Sequence, residues 1–204
     1  MMTDKIEPID ADIWALREKK GKLKIPNDQI FIINNIISAD TCDKFIDFID
    51  NNANLIETWG DSKNVQCRYC ILGDDKDNVH KEKEYDDIIY EITCKIVSFF
   101  MKFGIEIKND SGYCLRKIYG STRFHTDGIY NNSSEKNNYR MMSVIIALND
   151  DYEEGEFFFP TQEKSCKLKK GQCIAFPPYW THEHGVTAPK NGVRYTINTW
   201  LGNN

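Results

Sequence analysis

Apolar residues in the first half of the chain recur at helical spacing. A helix opening near Ser38 or Asp40, either of which can cap it, places Phe45, Ile46, Phe48 and Ile49 along one side. A second helix is predicted over about 85–103, with Ile88, Ile89, Ile92, Ile96, Val97 and Phe100 on a common stripe. Gly104 suits its end. Short strands are expected at 29–33 and 65–72. Near residue 110 the pattern changes to short apolar runs broken by Gly, Pro and Asn, which predict strands at 113–119, 140–148, 156–159, 173–176, 181–184 and 194–200. The polar segment 131–138 reads as an exposed loop. Helices first and many strands afterwards predict an α+β chain forming one domain over 1–204. In it, 1–110 supply helical support and two short strands, and 111–204 a sandwich or jelly-roll core.

Composition narrows the class. With 204 residues, 41% hydrophobic and 28% charged, the chain can bury a sizeable core. A formal net charge of −5 argues against coating nucleic acid, which needs clustered Lys and Arg. No apolar run approaches the ~20 residues of a membrane span. The acidic stretch 1–12 has no apolar signal region, so the seven cysteines are expected as reduced thiols in an intracellular, cytoplasmic setting.

Candidate chemistry centres on His125 and Asp127, in Phe124-His125-Thr126-Asp127-Gly128. On a strand, residues i and i+2 face one side, so an imidazole and a carboxylate can aim at one point. Two histidines and a carboxylate on one face of an iron leave positions open for an oxidant and a co-substrate. A second histidine is available downstream at His182 or His184, and Arg194 follows ten residues after His184. A strand, a turn and a neighbouring strand would set its guanidinium beyond the metal, where it can grip a carboxylate bidentately. Blander readings compete. A lone His-x-Asp is a weak motif, Arg194 can be a surface salt-bridge residue, and Tyr119 can be a packed aromatic. Cys67-x-x-Cys70 lacks the second pair that structural zinc wants and reads as ordinary thiols. Asp74 to Asn78 lacks the Gly and Glu of a calcium loop.

From about Cys114 to Leu201 the pieces stand in a recognisable order. His125-Thr126-Asp127, the run Arg140 to Asn149, Glu154-Gly155-Glu156-Phe157-Phe158-Phe159, Lys170-Gly171-Gln172-Cys173-Ile174-Ala175-Phe176, and His184 through Arg194-Tyr195 to Trp200 follow one another. Together they resemble the iron(II)/2-oxoglutarate-dependent dioxygenases, in particular the prolyl 4-hydroxylase-like branch. The resemblance implies a double-stranded β-helix, or jelly roll, flanked by N-terminal helices. It implies Fe(II) held by His125, Asp127 and His184, and O2 and 2-oxoglutarate as co-substrates, with Arg194 on the distal carboxylate. It also implies Tyr119, Thr196 and Asn198 as further co-substrate contacts, Arg68 and Trp200 as substrate contacts, and ascorbate as a candidate accessory reductant.

The spacing to Arg194 selects His184 over His182. Strand parity would put both on one face with Glu183 pointing away. Ala147 departs from the family, several members having a co-substrate-binding Tyr there, and Phe157 replaces a Thr. The implied reaction is hydroxylation of prolyl residues in a protein or peptide, with release of succinate and CO2. The alternatives are the same chemistry on a free amino acid, another small molecule or a nucleobase, and a cupin-like metal-binding module without oxygenase activity. The last would use His182-Glu183-His184 as its His-x-His, but no Glu follows within 185–190.

Overall fold

The computed structural model describes residues 23–52, 57–59, 64–69, 83–128 and 140–203, with 57, 59, 65–69 and 83 as backbone only. The loop expected at 131–138, Cys70 and the segment 74–78 lie outside the described residues.

Two helices form where the apolar stripes predict them. Helix α1 spans Ala39–Asn51 and buries Cys42, Phe45, Phe48 and Ile49. Of its two candidate caps the structure uses Ser38, whose hydroxyl accepts from the Thr41 N–H at 3.1 Å. Asp40 sits instead in the first turn, where a negative charge favours the helix dipole. Helix α2 spans Lys83–Met101 and buries Ile89, Ile92, Ile96 and Phe100, an i, i+3, i+7, i+11 stripe. Gly104 follows at φ 72, and the Ile105 N–H reaches back to the Phe100 carbonyl at 3.2 Å. A left-handed residue just past the end satisfies carbonyls the helix itself leaves open.

The strands are β1 (Phe31–Ile33), β2 (Glu57–Trp59), β3 (Asn64–Tyr69), β4 (Asn109–Asp110), β5 (Tyr113–Ile118), β6 (Thr122–His125) and β7 (Arg140–Ala147). They continue as β8 (Glu153–Glu154), β9 (Phe157–Phe159), β10 (Lys164–Cys166), β11 (Cys173–Phe176), β12 (His184–Val186), β13 (Pro189–Lys190) and β14 (Arg194–Gly202). An eight-stranded sheet has the order β1-β11-β7-β14-β5-β3-β2, with β4 also on β14. A four-stranded sheet has the order β10-β9-β12-β6, and β8 pairs with β13. The described ladders are antiparallel. This is the jelly roll expected, with its helices against one sheet.

Strand parity divides the large sheet between two cores. Val144 and Ile146 of β7, and Leu148 just past its end, join the cluster that packs on the helices, as do Tyr195 and Ile197 of β14. Phe31 closes that cluster, its ring edge-on to Phe99, Phe100 and Phe103. The alternate residues Ile145 and Ala147 meet Phe157, Phe159 and Val186 of the small sheet. Each such side chain contributes about 1.5–3 kcal/mol by leaving water. The inter-sheet space opens at one end into the cavity described below.

Two expectations need correction. Residues 181–184 are not one strand: Trp180–His182 form a short 3-10 turn and β12 starts at His184. The parity argument that put His182 and His184 on one face therefore does not apply. The strand parity applied to His125 and Asp127 does not hold either: β6 ends at His125, so Asp127 lies beyond the strand. Strands β8, β10 and β13 escape a sequence reading because two or three residues show no periodicity. No described helix is long and apolar enough to cross a membrane.

Candidate metal and co-substrate site

His125 is the last residue of β6 and His184 the first of β12, and they are direct partners across the ladder. Their ring centroids lie 4.4 Å apart. Asp127 follows two residues after His125, with its Oδ1 3.2 Å from His125 Nε2 and its Oδ2 3.7 Å from His184 Nε2. One ligand atom from each of the three falls within 4.8 Å of the others. The opposite ring nitrogens face main-chain carbonyls: His125 Nδ1 lies 2.9 Å from Arg123 O, and His184 Nδ1 3.1 Å from His182 O. A carbonyl only accepts, so each Nδ1 carries a proton, and each Nε2 can offer a lone pair to a metal once it has no proton of its own. Phe176 and Phe159 flank the His184 ring, at 4.5 and 5.8 Å between centroids.

The electrostatics suit a cation. Burial pushes the Asp127 carboxyl up, but the hydrogen bond with His125, the field of His184 and the Ser143 hydroxyl together carry it well below the usual carboxylate range. The bond to Asp127 raises His125 against the opposing effect of burial. Burial lowers His184, outweighing Asp127, so its ring is neutral. An ionised carboxylate and a neutral imidazole are the forms that bind metal.

Across the cavity, β14 presents Arg194, Thr196, Asn198 and Trp200, alternate residues of one strand face. Arg194 is 3% exposed, and its Nε and Nη1 have no hydrogen-bond partner. Burial pulls its guanidinium down to about 10, still charged at neutral pH. An unpaired buried cation is costly, so two unmet donors facing a shared cavity fit an anionic ligand. Thr196 donates its hydroxyl to Asn198 Oδ1 at 2.6 Å. The ten residues from His184 to Arg194 do not join neighbouring strands. They carry the chain from the small sheet to the large one, so the two residues line one cavity from facing sheets.

Tyr119 is not among the residues lining this cavity. Ile118 pairs with Arg194 and faces inward, while Tyr119 lies past the strand end, 44% exposed, with Lys117 Nζ 5.8 Å from its ring centre. His182 is drawn away too. It is 3% exposed, with Nε2 2.9 Å from the Asp28 carbonyl and Nδ1 2.9 Å from Thr181 Oγ1. On β3 the backbone of Arg68 pairs with Cys114 of β5, and the Arg68 side chain lies outside the described residues. Ala147 packs in the inter-sheet core, paired with Thr196.

Three residues at the cavity were missed. Ser143 Oγ donates to Asp127 Oδ2 at 2.5 Å, Arg140 Nη1 donates to the Asp127 carbonyl at 2.7 Å, and Arg116 lines the wall. Trp200 lies 4.0 Å from the Arg140 guanidinium and 5.9 Å from that of Arg116. A lone hydroxyl in the apolar run 141–148, at the parity of the site face, was the available signal for Ser143.

Comparison with known proteins agrees with this geometry. Residues 114–202 match the 2OG-Fe(II) oxygenase superfamily. A protein of Acanthamoeba polyphaga mimivirus named as a prolyl 4-hydroxylase is 21% identical over 198 residues, covering 86% of this chain and 75% of that one. The viral collagen prolyl hydroxylase of Paramecium bursaria Chlorella virus-1, solved with 2OG, superposes with a TM-score of 0.64 at 21% identity, over 85% of this chain and 94% of that one. A prolyl hydroxylase of Trichoplax adhaerens, solved with a hypoxia inducible factor peptide fragment, gives 0.64 at 13% identity, over 98% and 94%.

Proposed function

From the match of residues 114–202 to the 2OG-Fe(II) oxygenase superfamily, we propose that the chain belongs to it and hydroxylates prolyl residues of a protein or peptide. The chain is a 2-oxoglutarate-dependent dioxygenase that uses Fe(II) and O2. The observation that carries the site assignment is the pairing of His125, Asp127 and His184 with a buried Arg194 whose donors are unmet, across one cavity. The substrate follows the prolyl hydroxylases among the relatives, one of them solved with a peptide.

Iron and 2-oxoglutarate supply the oxidising chemistry that turns a C–H bond into C–OH, with succinate and CO2 as by-products. In this proposal His125 Nε2, Asp127 and His184 Nε2 hold the metal on one face and leave the other open. Arg194 receives the distal carboxylate, in a pocket dry enough to strengthen the pairing. Thr196 and Asn198, already bonded to each other, border that carboxylate. Trp200, steadied by Arg140, forms the wall against which a prolyl ring would rest, with Arg68 on the adjoining strands. Ascorbate enters as an accessory reductant that prolongs activity. An intracellular, cytoplasmic setting is part of the proposal; among the described side chains, Cys42, Cys94, Cys114, Cys166 and Cys173 are free thiols.

The test is incubation with Fe(II), 2-oxoglutarate and proline-containing peptides, reading succinate release and the mass gain of one oxygen atom. The expected result is oxygen on proline in wild type and no succinate from His125→Ala or His184→Ala. Succinate release that survives both substitutions would refute the site. Oxygen found only on free amino acids or nucleobases would refute the prolyl substrate and keep the chemistry.

A further inference from the structure

The two histidines and the carboxylate are not held in the same way. His125 and His184 are strand residues paired in register, so the ladder orients both rings. Asp127 lies past the end of β6 in irregular backbone, where no ladder fixes its side chain. What fixes it comes from β7. Ser143, 1% exposed, donates its hydroxyl to Oδ2 at 2.5 Å, while Oδ1 stays toward His125 Nε2 at 3.2 Å. Arg140 donates to the main-chain carbonyl of the same residue at 2.7 Å. The two β7 residues thus grip Asp127 at its side chain and at its backbone.

The asymmetry of the carboxylate has a chemical consequence. A carboxylate that offers both oxygens occupies two positions on a metal; one that offers a single oxygen occupies one. With Oδ2 engaged by a buried hydroxyl, turning both oxygens toward the metal would break a short charge-assisted bond and strand that hydroxyl. We propose that Ser143 is a positioning residue that fixes Asp127 as a one-oxygen ligand through Oδ1, keeping open the metal position that O2 or the co-substrate needs. The proposal rests on the iron-oxygenase reading, and its test isolates the carboxylate from turnover.

The experiment titrates metal-free wild type, Ser143→Ala and Ser143→Thr with Co(II) under anaerobic conditions, and repeats the titration with Fe(II) plus 2-oxoglutarate. Affinity and the visible absorption of the bound metal are read, and no substrate is needed. Loss of such a supporting hydrogen bond typically costs about 10- to 100-fold in metal affinity. Ser143→Ala should show that loss with a changed Co(II) spectrum, as the carboxylate swings to two-oxygen binding. Ser143→Thr, which keeps the hydroxyl, should restore both. Ser143→Ala binding Co(II) within about twofold of wild type and with the same spectrum would overturn the proposal, as would a folded Ser143→Thr that restores neither. Should Ser143→Ala fail to fold, Ser143→Cys replaces it: a thiol donates weakly, so a wild-type spectrum there would equally overturn the assignment. Wild type that takes up no metal would instead overturn the oxygenase reading, before any variant is compared.

Discussion

Replacing Arg194 by Met should make the metal-free protein more stable and weaken its affinity for 2-oxoglutarate at least about 30-fold. The guanidinium is 3% exposed and has two unpartnered donors. Burial lowers it from 12.5 to about 10, a penalty on the charged form of about 3 kcal/mol. Methionine is uncharged and adaptable enough to fill most of the same volume. Against the relief stands the contact of the guanidinium with the Phe157 ring at 5.6 Å, worth about 0.5–1 kcal/mol. The net gain is about 2 kcal/mol, which for a chain of this size raises Tm by roughly 4–8 °C. The co-substrate would lose its buried charge partner, a cost of about 2–5 kcal/mol, or about 30- to 5,000-fold in Kd. Two measurements decide: calorimetric melting of the metal-free proteins, and calorimetric titration of 2-oxoglutarate into the Co(II) forms. Wild type should also gain about 2.7 kcal/mol at a ligand concentration a hundred times its Kd, and the variant less than about 1 kcal/mol at the same concentration. A variant that melts lower and binds 2-oxoglutarate as wild type does would refute the reasoning, since Arg194 would then be a structural cation.

Three further outcomes follow from the same geometry. His182→Ala should leave one metal bound per chain, read by atomic absorption, yet melt lower by about 1–3 kcal/mol, because the Asp28 carbonyl loses its buried partner. Gly171→Ala should destabilise by more than about 1 kcal/mol in denaturant titration, since its φ of 80 is a left-handed conformation and the added Cβ would lie 2.6 Å from the Ile37 carbonyl oxygen. In metal-free protein, the Tm difference between wild type and Asp127→Asn should depend on pH. Asp127 titrates low, so its contribution is present above the unfolded value of about 4 and fades as pH falls through the folded value. His125 titrates high, so its share is full below about 6.5 and is lost as pH rises through its raised value. The difference should be widest between about pH 5 and 6.5 and shrink on either side; a difference that grows steadily toward alkaline pH would contradict the ion pair.

The sequence by itself determined the helices, because a stripe such as Ile89, Ile92, Ile96 and Phe100 is local information that the 3.6-residue period writes directly into the chain. It determined where β7 and β14 run, because each is a short apolar stretch set off by turn residues. His125, Asp127, His184 and Arg194 were legible as a set, since the order and spacing of the motif pieces carried them. The tertiary structure decided everything that depends on which strand lies opposite which. It paired His125 with His184 across a ladder, placed Arg194 on the facing sheet, and turned His182 onto Asp28 through a 3-10 turn that parity could not foresee. It moved Tyr119 out of the cavity, because Ile118 takes the inward position beside Arg194. It also joined Ser143 and Arg140 to Asp127 across at least 13 positions of chain. A hydrogen bond of that kind leaves no periodic trace in a sequence, because its two ends are adjacent only after the sheets have closed on each other.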